Sequence, residues 1–230
     1  MPVVTPLPPA IHVWYAPPEA ADTLDPAALE APHRDAWSKL QTARRRRDWQ
    51  AGRALQSVAH VPAGATFSSS HSGGQAALVV SAARCTLGID LESLVPRAYA
   101  DLADLAFSCT ESAWLRSLDD ANEQCAAFYE LWTLKEASIK ALRLNLLDGL
   151  RQCCFVADDG EWRGRLPVAG PWHATVYAPR PGVRLAWIWI GNPAGSRPAD
   201  VALHEWPGRT ADWPVVRSIG TLDSSAGRAC

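Results

Sequence analysis

The spacing of apolar residues predicts three helical stretches. Asp25-Pro26 is typical of an N-cap followed by proline at the first helical position, and a helix-favouring stretch runs from there towards His60. Leu, Ala, Phe and Trp recur at helical intervals across residues 97–118 and again across residues 122–142. We therefore expect helices in both halves of the chain.

Apolar runs predict strands after the helical stretches. Residues 75–81 and 86–92 are β-rich, and residues 83–85 between them are predicted to turn as a hairpin. Residues 172–178 and 183–190 flank a turn rich in proline and glycine. Helices followed by antiparallel strands, twice over, predict an α+β protein of two similar α/β lobes, each with helices packed on an antiparallel sheet.

The same pattern predicts the domain organisation. We expect an N-terminal lobe over residues 1–100 and a C-terminal lobe over residues 101–192. Residues 193–230 are rich in Gly, Pro, Ser, Arg and Asp, which predicts a tail or a loosely packed extension. Residues 11–17 and 173–179 weakly resemble each other, although two β-rich segments ending in Ala-Pro could match by chance.

Composition narrows the class of protein. With 48% apolar residues, 20% charged residues and a net charge of −2, the chain has the profile of an ordinary soluble globular protein and offers no basis for binding nucleic acid or a membrane surface. The first residues lack a secretory signal pattern, and no apolar run reaches the roughly 20 residues of a membrane helix. The six cysteines show no Cys-x-x-Cys spacing, so we expect reduced thiols and a cytoplasmic location.

Two carboxylates on one strand form the first candidate site. Asp90 and Glu92 are two residues apart, so on a strand they project from the same face, roughly 6–7 Å apart. Mg²⁺ suits such a pair, because it takes hard oxygen ligands and commonly combines one or two carboxylates with phosphate oxygens. A solvated strand end with two unrelated acids explains the same residues.

A predicted helix carries the second set of candidates. Glu136 and Lys140 are four residues apart, in the order that stabilises isolated helices. Alternatively, Glu136 supplies a third metal ligand or accepts a proton, while Lys140 and Lys135 contact phosphate. Lys135 lies about 100° around the helix from Glu136, so the two need not compete for one ligand.

Two further segments could bind phosphate. Ser70 and His71 lie in a polar stretch whose hydroxyls, imidazole and backbone N–H groups could hold an anion, although a surface loop would look the same. Residues 44–47 are four consecutive arginines, followed by Arg53. They fit either a solvated basic surface or a receiver for an anionic group.

Taken together, these motifs resemble those of the Sfp-type 4′-phosphopantetheinyl transferases. That family carries a Ser-His-Ser loop, a Gly-Ile-Asp-x-Glu strand and a Trp-Ser/Thr-x-Lys-Glu-Ala/Ser-x-x-Lys helix. The matching segments here are residues 70–72, 88–92 and 132–140, in that order. Residues 107–111 resemble its Phe-Ser-x-x-Glu segment, and residues 50–55 resemble its Ala-Gly-Arg helix.

The resemblance implies a fold, a reaction and a set of site residues. The fold is a pseudo-twofold monomer that binds coenzyme A, its co-substrate, between two halves. The reaction is Mg²⁺-dependent transfer of the 4′-phosphopantetheine arm to a serine of an acyl- or peptidyl-carrier protein. The implied catalytic residues are Glu136 and Lys140, with Glu111 as a weaker base candidate; the metal ligands are Asp90, Glu92 and Glu136; the cofactor-binding residues are Arg53, Ser70, His71, Asp90, Lys135 and Lys140.

Two departures from the family pattern leave an alternative open. Residues 58–64 are short and lack the lysine of a Gly-Lys-Pro segment that many relatives carry before the Ser-His-Ser loop. Residues 141–145 lack the glycines that usually follow the last lysine of the helix. A catalytically impaired relative that binds coenzyme A or a carrier protein without transfer is therefore the alternative.

Overall fold

The computed structural model describes residues 11–158, 161–191 and 200–220. It confirms a mixed α+β protein. The strands are β1 (Ile11–Ala16), β2 (Thr66–Ser72), β3 (Gln75–Ser81), β4 (Thr86–Ser93), β5 (Cys154–Asp158), β6 (Glu161–Arg165), β7 (Trp172–Tyr177), β8 (Val183–Ile190), β9 (Val201–Glu205), β10 (Arg209–Thr210) and β11 (Val215–Gly220). The helices are α1 (Ala31–Ser38), α2 (Ala43–Ala59), α3 (Tyr99–Ala106), α4 (Cys109–Arg116), α5 (Ala121–Leu142) and α6 (Leu146–Gln152).

Two sheets organise the described part of the chain. The first has the strand order β10-β9-β1-β3-β2, and the second has the order β11-β7-β8-β4. Helix α2 packs against the first sheet and α5 against the second, while β5 and β6 form a separate hairpin. Strands β2 and β4 are edge strands of different sheets, and these two edges lie against each other.

The predicted hairpins are partly confirmed. Strands β7 and β8 pair antiparallel, as expected. The hairpin expected between β3 and β4 is wrong, because β4 pairs with β8 and β3 pairs with β1 and β2. The hairpin in this region joins β2 to β3 instead. Its turn is Gly73-Gly74, with φ angles of 63° and 78° that glycine adopts without steric cost.

The segment expected to be a tail is part of both sheets where the structure describes it. Strand β9 runs parallel to β1 in the first sheet, and β11 pairs antiparallel with β7 in the second. Arg217 of β11 also contacts the buried Glu130 of α5, with Nε 3.1 Å from Oε2. The prediction of a loose extension is therefore wrong for residues 200–220. Both sheets draw strands from either side of the boundaries expected at residues 100 and 192.

The predicted helical stretches are broken by local caps. Asp25 caps a short 3-10 turn at Pro26–Ala28, as its position suggested, but the chain then leaves the helical conformation before α1 and again before α2. The stretch 97–118 is likewise split at Ser108, whose side chain forms a reciprocal capping box with Glu111 at the start of α4.

Helix α5 lies unusually close to β4. A Cβ atom added to Gly88 of β4 would lie 1.9 Å from the carbonyl oxygen of Ala137 in α5. Only glycine therefore permits this approach, which sets the distance between the strand and helix that carry the candidate residues. The cysteines of the described ranges are free thiols. None of the described helices has the length and apolar character needed to cross a bilayer.

Candidate functional site

Lys140 joins the two sheets at the centre of the candidate site. Its Nζ atom donates to Asp90 Oδ1 at 2.7 Å, to Ser70 Oγ at 2.9 Å and to the Ile89 carbonyl at 3.2 Å. Ser70 Oγ also donates to Asp90 Oδ1 at 2.8 Å. Residues from β2, β4 and α5 that the sequence singled out separately are therefore in direct contact.

A row of serines on β2 connects the edges of the two sheets. Ser68 Oγ accepts a hydrogen bond from the backbone N–H of Ile89 at 3.3 Å, and Ser72 Oγ donates to Glu92 Oε2 at 2.8 Å. With Ser70 they form what we call the serine seam, Ser68, Ser70 and Ser72. Residues two apart on a strand share a face, so the seam follows from the sequence period. The predicted surface loop at Ser70 is instead this strand.

The three candidate carboxylates share one electrostatic environment. Burial raises the pKa of Asp90 above its ordinary value, and the adjacent Lys140 opposes that rise. Burial also raises the pKa of Glu92, with the charge of Asp90 adding to the effect. The pKa of Glu136 is raised first by burial and then by Asp90, with Glu92 contributing too. Close carboxylates that are partly removed from water favour a cation or a proton nearby.

These carboxylates are hard oxygen donors of the kind that Mg²⁺ binds. Asp90 Oδ2 is buried and has no hydrogen-bond partner, so one carboxylate oxygen is available for a ligand. Across the described ranges, no three His, Cys, Asp or Glu side chains are arranged to hold a metal by themselves. Mg²⁺ commonly takes only one or two protein carboxylates and fills its remaining positions with phosphate and water.

A cavity of about 260 Å³ lies between α2 and the β2–β3 hairpin. Three residues predicted to bind the co-substrate, Arg53, Ser70 and His71, line it. Ser70 borders the cavity and its Oγ also contacts Lys140, so strand β2 lies between the cavity and the carboxylates. The lining residues that sequence reasoning missed include His33, Trp49 and Gln56.

Arg53 is held in place by two of those missed residues. Its guanidinium donates to His33 Nε2 at 2.7 Å and to Gln56 Oε1 at 2.8 Å. Positions 49, 52, 53 and 56 recur at helical spacing on α2, and that period could have indicated Trp49 and Gln56. Nothing comparable marks His33, which reaches the cavity from α1.

Three of the four consecutive arginines interact within the protein. Arg46 stacks on the ring of Trp37, with its guanidinium carbon 4.7 Å from the ring centre. Arg47 pairs with Asp22 at 3.0 Å, and Arg44 lies 3.9 Å from Asp48. The solvated basic surface is therefore the better description of residues 44–47.

Lys135 and Glu111 lie outside the candidate site, so two predictions are wrong. Both side chains are fully buried, and Lys135 Nζ lies 2.9 Å from Glu111 Oε2. Lys135 also donates to the carbonyls of Leu150 and Cys153, each at 2.6 Å. Glu111 accepts from the backbone N–H of Phe155 at 2.7 Å. The pair joins α4, α5, α6 and β5, and it can neither contact phosphate nor act as a base.

Part of the chain matches a known protein family. Residues 86–178 match the family model of the 4′-phosphopantetheinyl transferase superfamily. The matched range includes Asp90, Glu92, Glu136 and Lys140, whereas Ser70 and the rest of the cavity lie before it.

Two named relatives are similar to part of the chain. The 4′-phosphopantetheinyl transferase AcpT of Salmonella typhimurium is 37% identical over 114 residues, which cover 42% of this chain and 58% of AcpT. The putative 4′-phosphopantetheinyl transferase slr0495 of Synechocystis is 34% identical over 87 residues, which cover 37% of this chain and 35% of that protein. Each match thus spans less than two thirds of the relative. The resemblance of this chain to the 4′-phosphopantetheinyl transferase superfamily is confirmed, and the family match falls on the strand and helix that carry the candidate carboxylates.

Proposed function

We propose that this protein transfers the 4′-phosphopantetheine arm of coenzyme A to a serine of an acyl- or peptidyl-carrier protein. The serine oxygen forms a bond to the phosphorus that bears the pantetheine. The bond from that phosphorus to the bridging oxygen breaks, and adenosine 3′,5′-bisphosphate leaves. The observation that carries the proposal is the contact of Lys140 with Asp90, both inside the superfamily match, and with Ser70, which lies before it.

Glu136 and Lys140 take the catalytic roles in this proposal. Glu136 lies within electrostatic reach of Asp90, Glu92 and Lys140, and this position beside the reacting groups suits its carboxylate to accept the serine proton. Lys140 places a positive charge where the bridging oxygen of the leaving bisphosphate gains negative charge. Positioning and charge neutralisation carry most of the catalysis in phosphoryl transfer.

Mg²⁺ is the proposed cofactor, which one or two of the carboxylates of Asp90, Glu92 and Glu136 would hold together with the diphosphate. When bound, the ion would neutralise charge on the phosphate oxygens. The buried, unpartnered Oδ2 of Asp90 supports this assignment. Each of the three carboxyl groups has a raised pKa, and a bound cation would relieve the repulsion among them, which supports the assignment as well.

The cavity beside α2 is the proposed binding site for the nucleotide end of coenzyme A. Arg53 supplies a permanent positive charge, and His71 supplies a hydrogen-bonding group on the opposite wall, next to Ser70. We further propose that the two sheets, each covered by one long helix, are pseudo-twofold lobes of a monomer, with coenzyme A bound between them.

The decisive experiment is mass spectrometry on a panel of apo carrier proteins incubated with coenzyme A and Mg²⁺. We expect the mass of one phosphopantetheine arm to appear on the carrier, and Glu136→Gln to abolish nearly all of that gain. Glu123→Gln is the matched control, because Glu123 is exposed near the start of the same helix and should leave transfer unchanged.

One result would contradict the transferase proposal, and another would contradict only the catalytic role of Glu136. The first is an unmodified carrier across the whole panel at high enzyme and metal concentration. If calorimetry then detects coenzyme A binding without product, the protein is a binding member of the superfamily and not a transferase. The other is equal transfer by Glu136→Gln and Glu123→Gln, which would remove Glu136 from the chemistry.

A further inference from the structure

The tip of the β2–β3 hairpin is fastened to helix α2 by a buried carboxylate. Asp48 Oδ1 accepts a hydrogen bond from the backbone N–H of Gly74 at 2.6 Å. Asp48 is only 7% exposed, so this bond to a charged acceptor is shielded from competing water. A buried carboxylate in this position is costly unless it is paired, and Gly74 is the partner that compensates it.

The neighbouring side chain closes over the same turn. A Cβ atom added to Gly74 would lie 2.9 Å from Nε of Arg47, and Arg47 is itself held by Asp22. The turn therefore contacts α2 directly, and the positive φ of Gly74 disfavours any larger residue. Both the hydrogen bond and the packing fix the separation of hairpin and helix at this end.

The contact between Asp48 and Gly74 affects the cavity, because α2 and the β2–β3 hairpin, which this contact joins, also form the two walls of the cavity. Arg53 lies further along α2, five residues after Asp48, and Ser70 and His71 lie on β2 just before the turn. We infer that Asp48 is a positioning residue that holds the hairpin at the distance at which both walls grip the bisphosphate end of coenzyme A. The inference rests on the function proposed above.

The other neighbour of Asp48 supplies a matched control. Arg44 Nε lies 3.9 Å from Asp48 Oδ2, and the Arg44 side chain is 73% exposed. An exposed pair of that length contributes little to stability. Arg44→Gln removes this contact and leaves the bond from Asp48 to Gly74 intact.

The test is calorimetric titration of the intact protein with adenosine 3′,5′-bisphosphate. Asp48→Ala should weaken binding about tenfold, since a hairpin held in the competent position one tenth of the time reduces apparent affinity by that fraction. Asp48→Asn should bind like the wild type, because its amide oxygen still accepts from Gly74. Arg44→Gln should bind like the wild type as well.

Steady-state kinetics separates positioning from a general loss of folded protein. In Asp48→Ala we expect a higher KM for coenzyme A, with the KM for the carrier and the kcat at saturating coenzyme A close to wild type. Unfolding would instead lower the active fraction and leave both KM values unchanged. If Asp48→Ala does not fold, Gly74→Ala perturbs the same fastening from the other side and should weaken binding too.

Three outcomes would overturn the inference. One is wild-type affinity and wild-type KM for coenzyme A in Asp48→Ala, or in Gly74→Ala if that variant has to be used. Another is Asp48→Asn binding as weakly as Asp48→Ala. In either case the wild type still binds bisphosphate, so the proposed function stands. Failure of the wild type to bind bisphosphate would overturn both.

Discussion

Replacing Gly88 with alanine should displace the helix that carries Glu136 and Lys140. The added Cβ would lie 1.9 Å from the Ala137 carbonyl oxygen and 2.9 Å from the Ala141 nitrogen, both backbone atoms of α5. Ordinary contact requires a separation of at least 3.4 Å, so strand and helix must part by about 1.5 Å. The 2.7 Å contact of Lys140 with Asp90 would then be lost.

The magnitude follows from overpacking and from the geometry of catalysis. Forcing extra atoms into a packed core costs about 1–3 kcal/mol and sometimes more. For a chain of this size, each kcal/mol lowers Tm by about 2–4 °C. A 1 Å misplacement of catalytic groups can cost on the order of 100-fold in rate. We therefore expect Gly88→Ala to melt several degrees lower and to lose roughly 100-fold in carrier modification.

The assay combines thermal melting with the rate of mass gain on an apo carrier. Gly52→Ala is the control for the melting measurement alone, because a Cβ there meets nothing within 4 Å and alanine favours the helix by about 1 kcal/mol, whereas its place in the cavity wall rules it out as a control for transfer. Wild-type melting and wild-type transfer in Gly88→Ala would refute the argument, since the close approach of β4 and α5 would then have no consequence.

Three other substitutions test separate parts of the structure. Glu136 has a folded-state pKa raised above its ordinary value of 4.5, so it destabilises the fold once pH rises through the raised pKa and does not do so below 4.5. Without divalent ions, Glu136→Gln should therefore have a higher Tm than wild type at pH 8, and the two Tm values should converge near pH 4. A Tm difference that does not depend on pH would contradict this. Lys135→Met should lower the free energy of unfolding, measured by urea denaturation, by about 3–5 kcal/mol, because the charge of Glu111 is left buried and unpaired. Adding Glu111→Gln should recover part of the loss. An unchanged urea midpoint would show that the pair is dispensable. Arg143→Gly should raise Tm by a few degrees, because Arg143 ends α5 with a φ of 53° that glycine adopts more readily; a lower Tm would refute the assignment of strain to that position.

Short-range pattern was enough to find the residues that converge in the site. The strand with Asp90 and Glu92 and the helix with Glu136 and Lys140 are both present, and Ser70 contacts both. Sequence alone could not show that Lys140 lies in the site and Lys135 does not, because it does not reveal that α5 is buried on more than one side. Lys135 lies about 100° around the helix from Glu136, where it meets core and not solvent, and Glu111 compensates its charge.

Strand pairing was beyond local reasoning. The short turn between β3 and β4 suggested a hairpin, yet β4 pairs with β8, about one hundred residues further along the chain. Strands β9 and β11 are short and partly exposed, so their composition resembled that of a loose tail. Strands β9 and β11 are held in place by pairing with the open edges of β1 and β7. A sequence window of a dozen residues contains no information about those edges.

The interleaving of distant strands dictates when this protein can fold. During synthesis β1 leaves the ribosome long before β9, its parallel neighbour in the first sheet. In the same way, β4 is made long before β8, its partner in the second sheet. Neither sheet can be completed co-translationally from its early strands alone. Such non-local pairing slows folding and exposes unpaired edges to aggregation while the remaining chain is made.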